Sequence, residues 1–577
     1  MSQAVNTFLT LDDRLNIHDN INYSVIQSGQ SILQQKFVAQ SASPNNINVS
    51  CLIPSLQTVI DRRVVIKSKF TVVLSATMAL SGQQVVAANL SNLCLANFPF
   101  SQAVNTLSVQ INNATVSNNY QNNLNAILSQ MEQEDLAKYA DTTPVQRDFY
   151  ALADQTGTLS AFSNIESGAF NLADGFLPRG AYLKVSDVAI VAANANGGLS
   201  TATITIDVVE PIFVSPFCFG DNLDNGNSGL SGVSVMNFQF NMNSNCPNVI
   251  RWAGATGATN PTTTITAINN GDVSIQMTFL TPKPSMLVPL TCSLPYWELP
   301  TFITTAPQSI QAVGTTFQIT STIISPNCVP DKIFLSVQKQ YGSRLSSDNE
   351  YYYPITQVNI VWNTLSGILN SATVYDLYAL GKKAGMKANY LQYTGGAAGA
   401  SGALVPLAGC PLSLDFATAI PLMENYFAPG SLGNWTFSVI VTCLNTVAPG
   451  GTIPPTQLNV SFLNSGLFTT TSGSSSQYVG LLSREQTLRT AQMEPTAESE
   501  NNRYVGGSFL SKLKSVLPKV GAVAKSIAPY VKGALGASDN KYADMGEKAL
   551  GALGYGMSAG AMSGGAISGG RKPRIHM

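Results

Sequence analysis

Charge is what this sequence has least of. Of its 577 residues only 11% are Asp, Glu, Lys or Arg, less than half the usual share, and polarity is carried instead by Asn, Ser, Thr and Gly. A surface so poor in ions is suited to burial against copies of itself, because each buried ion forfeits several kcal/mol of hydration unless it is paired. A neutral extracellular β-protein has the same profile. Histidine is almost missing, with only His18 and His576. Eight cysteines (Cys51, Cys94, Cys218, Cys246, Cys292, Cys328, Cys410, Cys443) stand singly, with no C-x-x-C pair. A zinc site would need four of these thiols gathered by the fold, so buried free thiols are the expectation, as in a reducing compartment. No run of eighteen apolar residues exists to span a membrane as a helix. The first twenty residues carry early acids and no apolar core, so a signal peptide is not expected. Neither a phosphate loop nor a paired-carboxylate motif occurs. His18, the one conventional base outside the extreme C-terminus, sits in a polar arm, and Asp12-Asp13, Glu132, Glu134 and Asp135 read as solvated surface. The chain is therefore not expected to be an enzyme or to hold a cofactor or metal.

What is present is a long series of short β-branched or alternating runs punctuated by Asn, Gly, Pro and Ser. Residues 1–35 read as an extended arm, which gains structure only by lying on a neighbour. Strands are expected over 64–74, 107–111, 182–191, 201–211, 235–242 and 273–280. The segment 118–140 breaks the pattern, with Leu124, Ile127, Leu128, Met131 and Leu136 at helical spacing. Pro282, Pro284, Pro289, Pro295 and Pro300 then crowd one segment, which excludes central strands there and marks a domain junction. The pattern begins again over 315–324, 332–338, 356–362, 412–416, 435–444 and 457–463, with a short helix expected at 371–381. Two successive all-β sandwiches, residues 36–290 and 291–475, fit these lengths. They share no evident sequence similarity, and periodicity alone does not choose between sandwich and jelly roll.

Between residues 300 and 465 the reading sharpens. QVNIVWNTLSGILNSAT at 357–373 with Asp376-Leu377-Tyr378, then PLSLDF at 411–416, Ile420-Pro421-Leu422, Ala428-Pro429-Gly430 and Asn434-Trp435-Thr436-Phe437 together resemble the second domain of double jelly-roll major capsid proteins. VPDKI at 329–333 agrees with it, and the likeness is to virophages, polinton-type elements and adenovirus-related viruses. The resemblance implies an all-β double jelly roll with a few inserted helices. It also implies a homotrimer of six jelly rolls forming a pseudo-hexagonal tile of an icosahedral virion shell, with minor capsid or penton proteins as further partners. Two other readings stay open: a single jelly-roll shell domain with a projecting β-domain, as in small RNA viruses, and a secreted β-sandwich adhesin.

Residues 476–507 read as a linker, and residues 508–577 as a different polymer. This tail holds ten Lys and Arg against Asp539, Asp544 and Glu547, a net +7 that leaves the body at −8. Phe509, Leu510, Leu513, Val516, Leu517, Val520, Ile527 and Val531 recur at three- and four-residue steps, with Lys512, Lys514, Lys519, Lys525 and Lys532 mostly off that face. Pro518 and Pro529 break the helix into hinged segments. A hinged basic amphipath lies in a bilayer interface, apolar side inward and lysines on anionic headgroups; it can equally dock on the inner surface of the body. Met562-Ser563-Gly564-Gly565-Ala566 and Ile567-Ser568-Gly569-Gly570-Arg571 resemble sites cut by adenovirus-type proteases. The glycines let the backbone lie in a narrow cleft. Cuts are thus expected after Gly565 and Gly570. At Gly507, before Ser508, Tyr504 replaces the aliphatic residue and departs from the pattern. The segment resembles the adenoviral membrane-lytic minor capsid protein, which also ends in a short basic peptide. The same Gly-rich run reads as flexible linker, and residues 571–576 as a small contact to nucleic acid.

Overall fold

The computed structural model describes residues 31–480 apart from several internal stretches, of which 78–92, 146–181, 191–198, 218–228 and 253–260 are the longest. Eight strands build the first sandwich: β1 (Ser31–Val38), β2 (Asn46–Leu52), β3 (Val65–Thr77), β4 (Val104–Ile111), β5 (Ala114–Asn119), β6 (Leu199–Pro211), β7 (Val235–Met242) and β8 (Thr262–Thr281). One sheet has the order β1-β8-β3-β6, extended at its edge by Tyr182–Ile190; the other runs β2-β7-β4-β5. Period-two alternation turns one face of each strand inward. In β3 Ile66, Phe70, Val72 and Leu74 are buried, and in β7 Met236, Phe238, Phe240 and Met242 meet them from the opposite sheet.

The second sandwich repeats the plan with β9 (Thr291–Glu298), β10 (Thr316–Thr320), β11 (Lys332–Lys339), β12 (Ile355–Trp362), β13 (Leu365–Ile368), β14 (Leu412–Asp415), β15 (Phe437–Leu444) and β16 (Thr456–Thr471). Its sheets run β9-β16-β11-β14 and β10-β15-β12-β13. Adding eight to each label of the first sandwich gives the second, so both are jelly rolls of one topology. The duplication that sequence similarity did not reveal is written in the strand order. The alternative of one jelly roll with an unrelated projecting domain is thereby corrected.

Two expected boundaries move. β1 already pairs residue for residue from Ser31↔Thr281 to Val38↔Ser274, so residues 31–35 belong to the first sheet rather than to the arm. At the other end, strand Ser474–Val479 folds back on β16, past the residue 475 expected to close the second sandwich. The proline-crowded junction holds an edge strand and no central one among the described residues. Pro295 lies within β9, which pairs only with β16 and so occupies an edge, where a missing N–H is tolerated. Beyond Pro300 the edge resumes as Thr301–Ala306, also on β16.

Among the described residues helices are few and sit in the connections: α1 (Pro99–Ala103), α2 (Tyr120–Leu128), α3 (Val374–Lys383) and α4 (Tyr390–Thr394). On α2 the expected stripe Leu124, Ile127 and Leu128 is buried, and Asn119 caps the helix by accepting from the Asn122 N–H at 3.2 Å. Thr373 and Asp376 form a reciprocal capping box at the start of α3.

Candidate functional site: the seam between the two sandwiches

Three neighbouring strands of the second sandwich are buried on both faces. Along β11, Ile333, Leu335 and Val337 enter the second core, while Lys332, Phe334, Ser336 and Gln338 point the other way and are buried too. β16 alternates Leu458, Val460 and Phe462 inward with Gln457, Asn459 and Ser461 outward, and β14 pairs Leu412 and Leu414 with Ser413 and Asp415. Register sets these polar residues side by side, Ser461 opposite Phe334, Asn459 opposite Ser336 and Asp415 opposite Lys332. By alternation alone this face would meet water. It meets the first sandwich instead.

Helix α2 is what covers it. Fully buried Asn123 donates to the Leu299 carbonyl at 3.0 Å and to the Asn118 side-chain oxygen at 3.1 Å. Its own Oδ1 accepts from Thr301 Oγ1 at 2.7 Å and Ser461 Oγ at 2.8 Å. Gln457 Nε2 donates to Asn122 Oδ1 at 3.1 Å. Two residues past the helix, Gln130 Nε2 donates to Ser413 Oγ at 3.0 Å, and Gln130 Oε1 accepts from Lys332 Nζ at 2.8 Å. That ammonium, 2% exposed, also donates to the Ala384 carbonyl and lies 3.8 Å from the Asp415 carboxylate. Buried polar groups hydrogen-bonded on both sides hold one register and penalise any other. Leu294, Tyr296, Trp297, Leu299, Phe334, Leu463 and Phe468 of the second half close the apolar part of the seam by joining the first core.

Within the second sandwich the stretches carrying the family resemblance converge on one aromatic cluster. Trp362 stacks on Trp435 at 5.3 Å and 11°, and meets Phe416 edge-on at 5.0 Å and Phe437 at 6.4 Å. Three separated motifs thus resolve into a single packing unit.

A buried carboxylate ties the connections of the first sandwich together. Glu210 near the end of β6 accepts from the Phe100 and Ser101 backbone N–H groups at 2.9 and 2.8 Å, from Ser101 Oγ at 2.6 Å and from Thr143 Oγ1 at 3.3 Å. Burial pushes this acid up to about 7 against those four donors. A folded value above the unfolded one means that its stabilising contribution is complete below about 4.5 and is lost as pH rises through about 7. The unfolding free energy of the wild type relative to Glu210→Gln should therefore fall by about 3 kcal/mol between those limits. Urea titrations of both proteins at pH 4.5 and 8 check this, and a pH-independent difference would refute it.

Cys51, Cys246, Cys328, Cys410 and Cys443 are buried thiols outside any disulfide, and Cys292 is a partly buried one. Burial pushes the thiols of Cys246 and Cys328 up to about 12, which leaves them unreactive. The expected membrane-active residues Phe509 to Lys532, the processing positions Gly507, Ser508, Gly565, Ala566, Gly570 and Arg571, and His18 all lie outside the described residues. The seam polar residues escaped sequence reasoning. Their signals were the dense Asn run at 118–123 and polar positions alternating with apolar ones in three consecutive strands of one sheet.

Comparison with known proteins places this architecture. Residues 4–283 match the family model of the Sputnik virophage major capsid protein 1st domain, and residues 299–466 match that of the major capsid protein V20 C-terminal domain. The chain belongs to the virophage double jelly-roll major capsid proteins. Capsid protein V20 of Sputnik virophage is 26% identical over 579 residues, spanning 96% of this chain and 94% of that protein. The cryo-EM structure of the Sputnik virophage superposes with a TM-score of 0.70 at 22% identity, covering 86% of this chain and 97% of that one. The mavirus major capsid protein crystal structure gives 0.63 at 14% identity, covering 84% and 98%. As a major capsid protein the chain is a structural component of the virion.

Proposed function

We propose that three copies of this major capsid protein associate into a pseudo-hexagonal capsomer, the repeating tile of an icosahedral shell. One observation carries the reading: two jelly rolls of identical strand order, locked by a buried seam, make each chain a rigid pair of near-equivalent tiles. Three such pairs give six sandwiches, and closed cyclic symmetry is the common rule for self-association. The scarcity of charge, 11% of residues, keeps the desolvation cost of the contacts small. Sixfold tiles cannot fill fivefold vertices, so a separate penton or minor capsid protein is a required partner. Light scattering of the purified protein should give three times the 61.1 kDa chain mass, with six-lobed particles in negative stain. A monomer, or tiles of fivefold outline, would sink the trimer.

The tail 508–577 is the second part of the proposal. Its Gly-Gly sites at Gly565 and Gly570 are cut by an adenovirus-type protease during maturation, and its basic amphipathic segment acts on membranes. Support comes from the net +7 charge, the apolar spacing and the two aliphatic-x-Gly-Gly sequences. Intact mass of the protein from mature particles should show a C-terminus at Gly565 or Gly570, and a synthetic 508–536 peptide should leak vesicles rich in anionic lipid. An unshortened chain ending at Met577 removes the protease, and tight vesicles remove the membrane role.

A further inference from the structure

Where the two sandwiches meet at one end, a cleft of about 330 Å³ opens between the loop after β7, the loop before β2 and the loop after β11. Asn45, Asn243, Ser244 and Asn245 line it from the first sandwich, Tyr341 and Arg344 from the second, and none of its lining residues is acidic. Arg344 is only 6% exposed. Its Nε donates to the Lys339 carbonyl at 3.0 Å and its Nη2 to Gln338 Oε1 at 3.0 Å, both neutral acceptors. The guanidinium lies 5.5 Å from the centre of the Tyr341 ring. The neighbouring Asp348 carboxylate is taken up by the Lys339 ammonium and the Leu345 N–H. Arg344, Lys339 and Asp348 together leave one positive charge in excess beside the cleft. The other half of the same carboxamide, Gln338 Nε2, is buried and has no acceptor among the described residues.

A buried cation whose direct hydrogen-bond partners are neutral gains from an anion that completes it, and the planar guanidinium fork matches a carboxylate. Carboxamides offer both donors and acceptors, the pairing that vicinal hydroxyls require. The volume suits one or two sugar rings rather than a folded partner. We infer that the cleft binds a compact acidic saccharide of the uronic type, its carboxylate on Arg344 and its hydroxyls on the Asn45, Asn243 and Asn245 amides. The chain's own acidic linker, with Glu494, Glu498 and Glu500, is the competing occupant. Reach does not exclude it, since the fifteen residues from Val479 to Glu494 span about 50 Å when extended, and the last described strand ends at Val479 opposite Gly466. That is ten residues of β16 from Thr456, which pairs with Lys339 beside the cleft, or about 33 Å. The entry of the chain at Ser31, level with Thr281, lies at the far end of β8 from Ile265, which bonds the cleft residue Ser244. The binding does not depend on the capsomer reading.

The test uses the full-length protein with sodium glucuronate as probe and glucose as the neutral control, followed by saturation-transfer NMR and calorimetry. Glucuronate should bind with Kd on the order of 1 mM and glucose at least about tenfold more weakly. Asn45→Ala, at an exposed position, should weaken glucuronate about threefold, and Arg344→Gln should erase the preference over glucose. If Arg344→Gln does not fold, raising NaCl from 50 to 500 mM should weaken glucuronate several-fold and leave glucose unchanged. Equal binding of the two sugars overturns the proposal, as does undiminished glucuronate binding in Asn45→Ala. Displacement of glucuronate by a 493–501 peptide at lower concentration assigns the cleft to the linker instead.

Discussion

Trp362→Ala should cost the second sandwich about 3–5 kcal/mol, the range for emptying a buried Trp site. The side chain is fully buried, and it joins residues far apart in sequence: Trp435 stacked on one side, Phe416 and Phe437 against its edges. Phe462 of β16 then touches Phe416 and Phe437 at 6.5 and 5.2 Å, so the cluster bridges the two sheets. Beyond area, each aromatic pair adds about 0.5–1.5 kcal/mol, and the cavity cannot close because its walls are rings fixed by strands. Trp362→Phe keeps part of the contact and should cost about half as much. Urea denaturation of purified protein measures both. Capsomer yield should fall with the Ala variant, since a sandwich that opens cannot hold its neighbours. A midpoint shift within error for Trp362→Ala would show that the cluster is not what holds the sheets together.

The same cluster shows why part of this molecule was legible in its sequence. Strands such as Val235–Met242 were readable to the residue because a half-exposed strand writes its burial as strict alternation. Trp362, Phe416 and Trp435 stood in the motifs that carry the family resemblance, since a core of rare, large residues tolerates few replacements. The jelly-roll order was not readable, because pairing is set by partners a hundred or more residues away, as Ile206 is from Phe70. The seam was hidden for a different reason. In β16 the polar positions Gln457, Asn459 and Ser461 have the pattern of a strand facing water, and nothing local tells water from a helix bearing two buried asparagines. The stripe Leu124, Ile127 and Leu128 identified α2 as a helix, but it described only the face turned to the first core, while Asn122 and Asn123 do the joining.

That division of labour on α2 leads to the second large effect. Asn123→Ala should cost about 3–5 kcal/mol, because the substitution leaves the Leu299 carbonyl and the Asn118, Thr301 and Ser461 side chains short of a partner in a site that is buried except at Thr301. An unpaired buried group costs about 1–3 kcal/mol, and the Thr301 and Ser461 hydroxyls, 2.9 Å apart, can recover part of it from each other. The effect differs in kind from that of Trp362→Ala. The two cores stay intact while the bond between them weakens, so calorimetry should show one transition for the wild type and two for the variant, one per sandwich. Asn237→Ala, on an exposed face of the first sandwich, is the control and should shift nothing beyond about 0.5 kcal/mol. Uncoupled sandwiches also lose the fixed spacing that the proposed six-tile capsomer demands, so Asn123→Ala should assemble into irregular particles at conditions where its folded content matches the control. If the variant melts in one transition and still forms regular capsomers, the rigidity of the pair comes from the apolar contacts of Trp297, Leu299 and Phe334 rather than from the hydrogen-bonded seam.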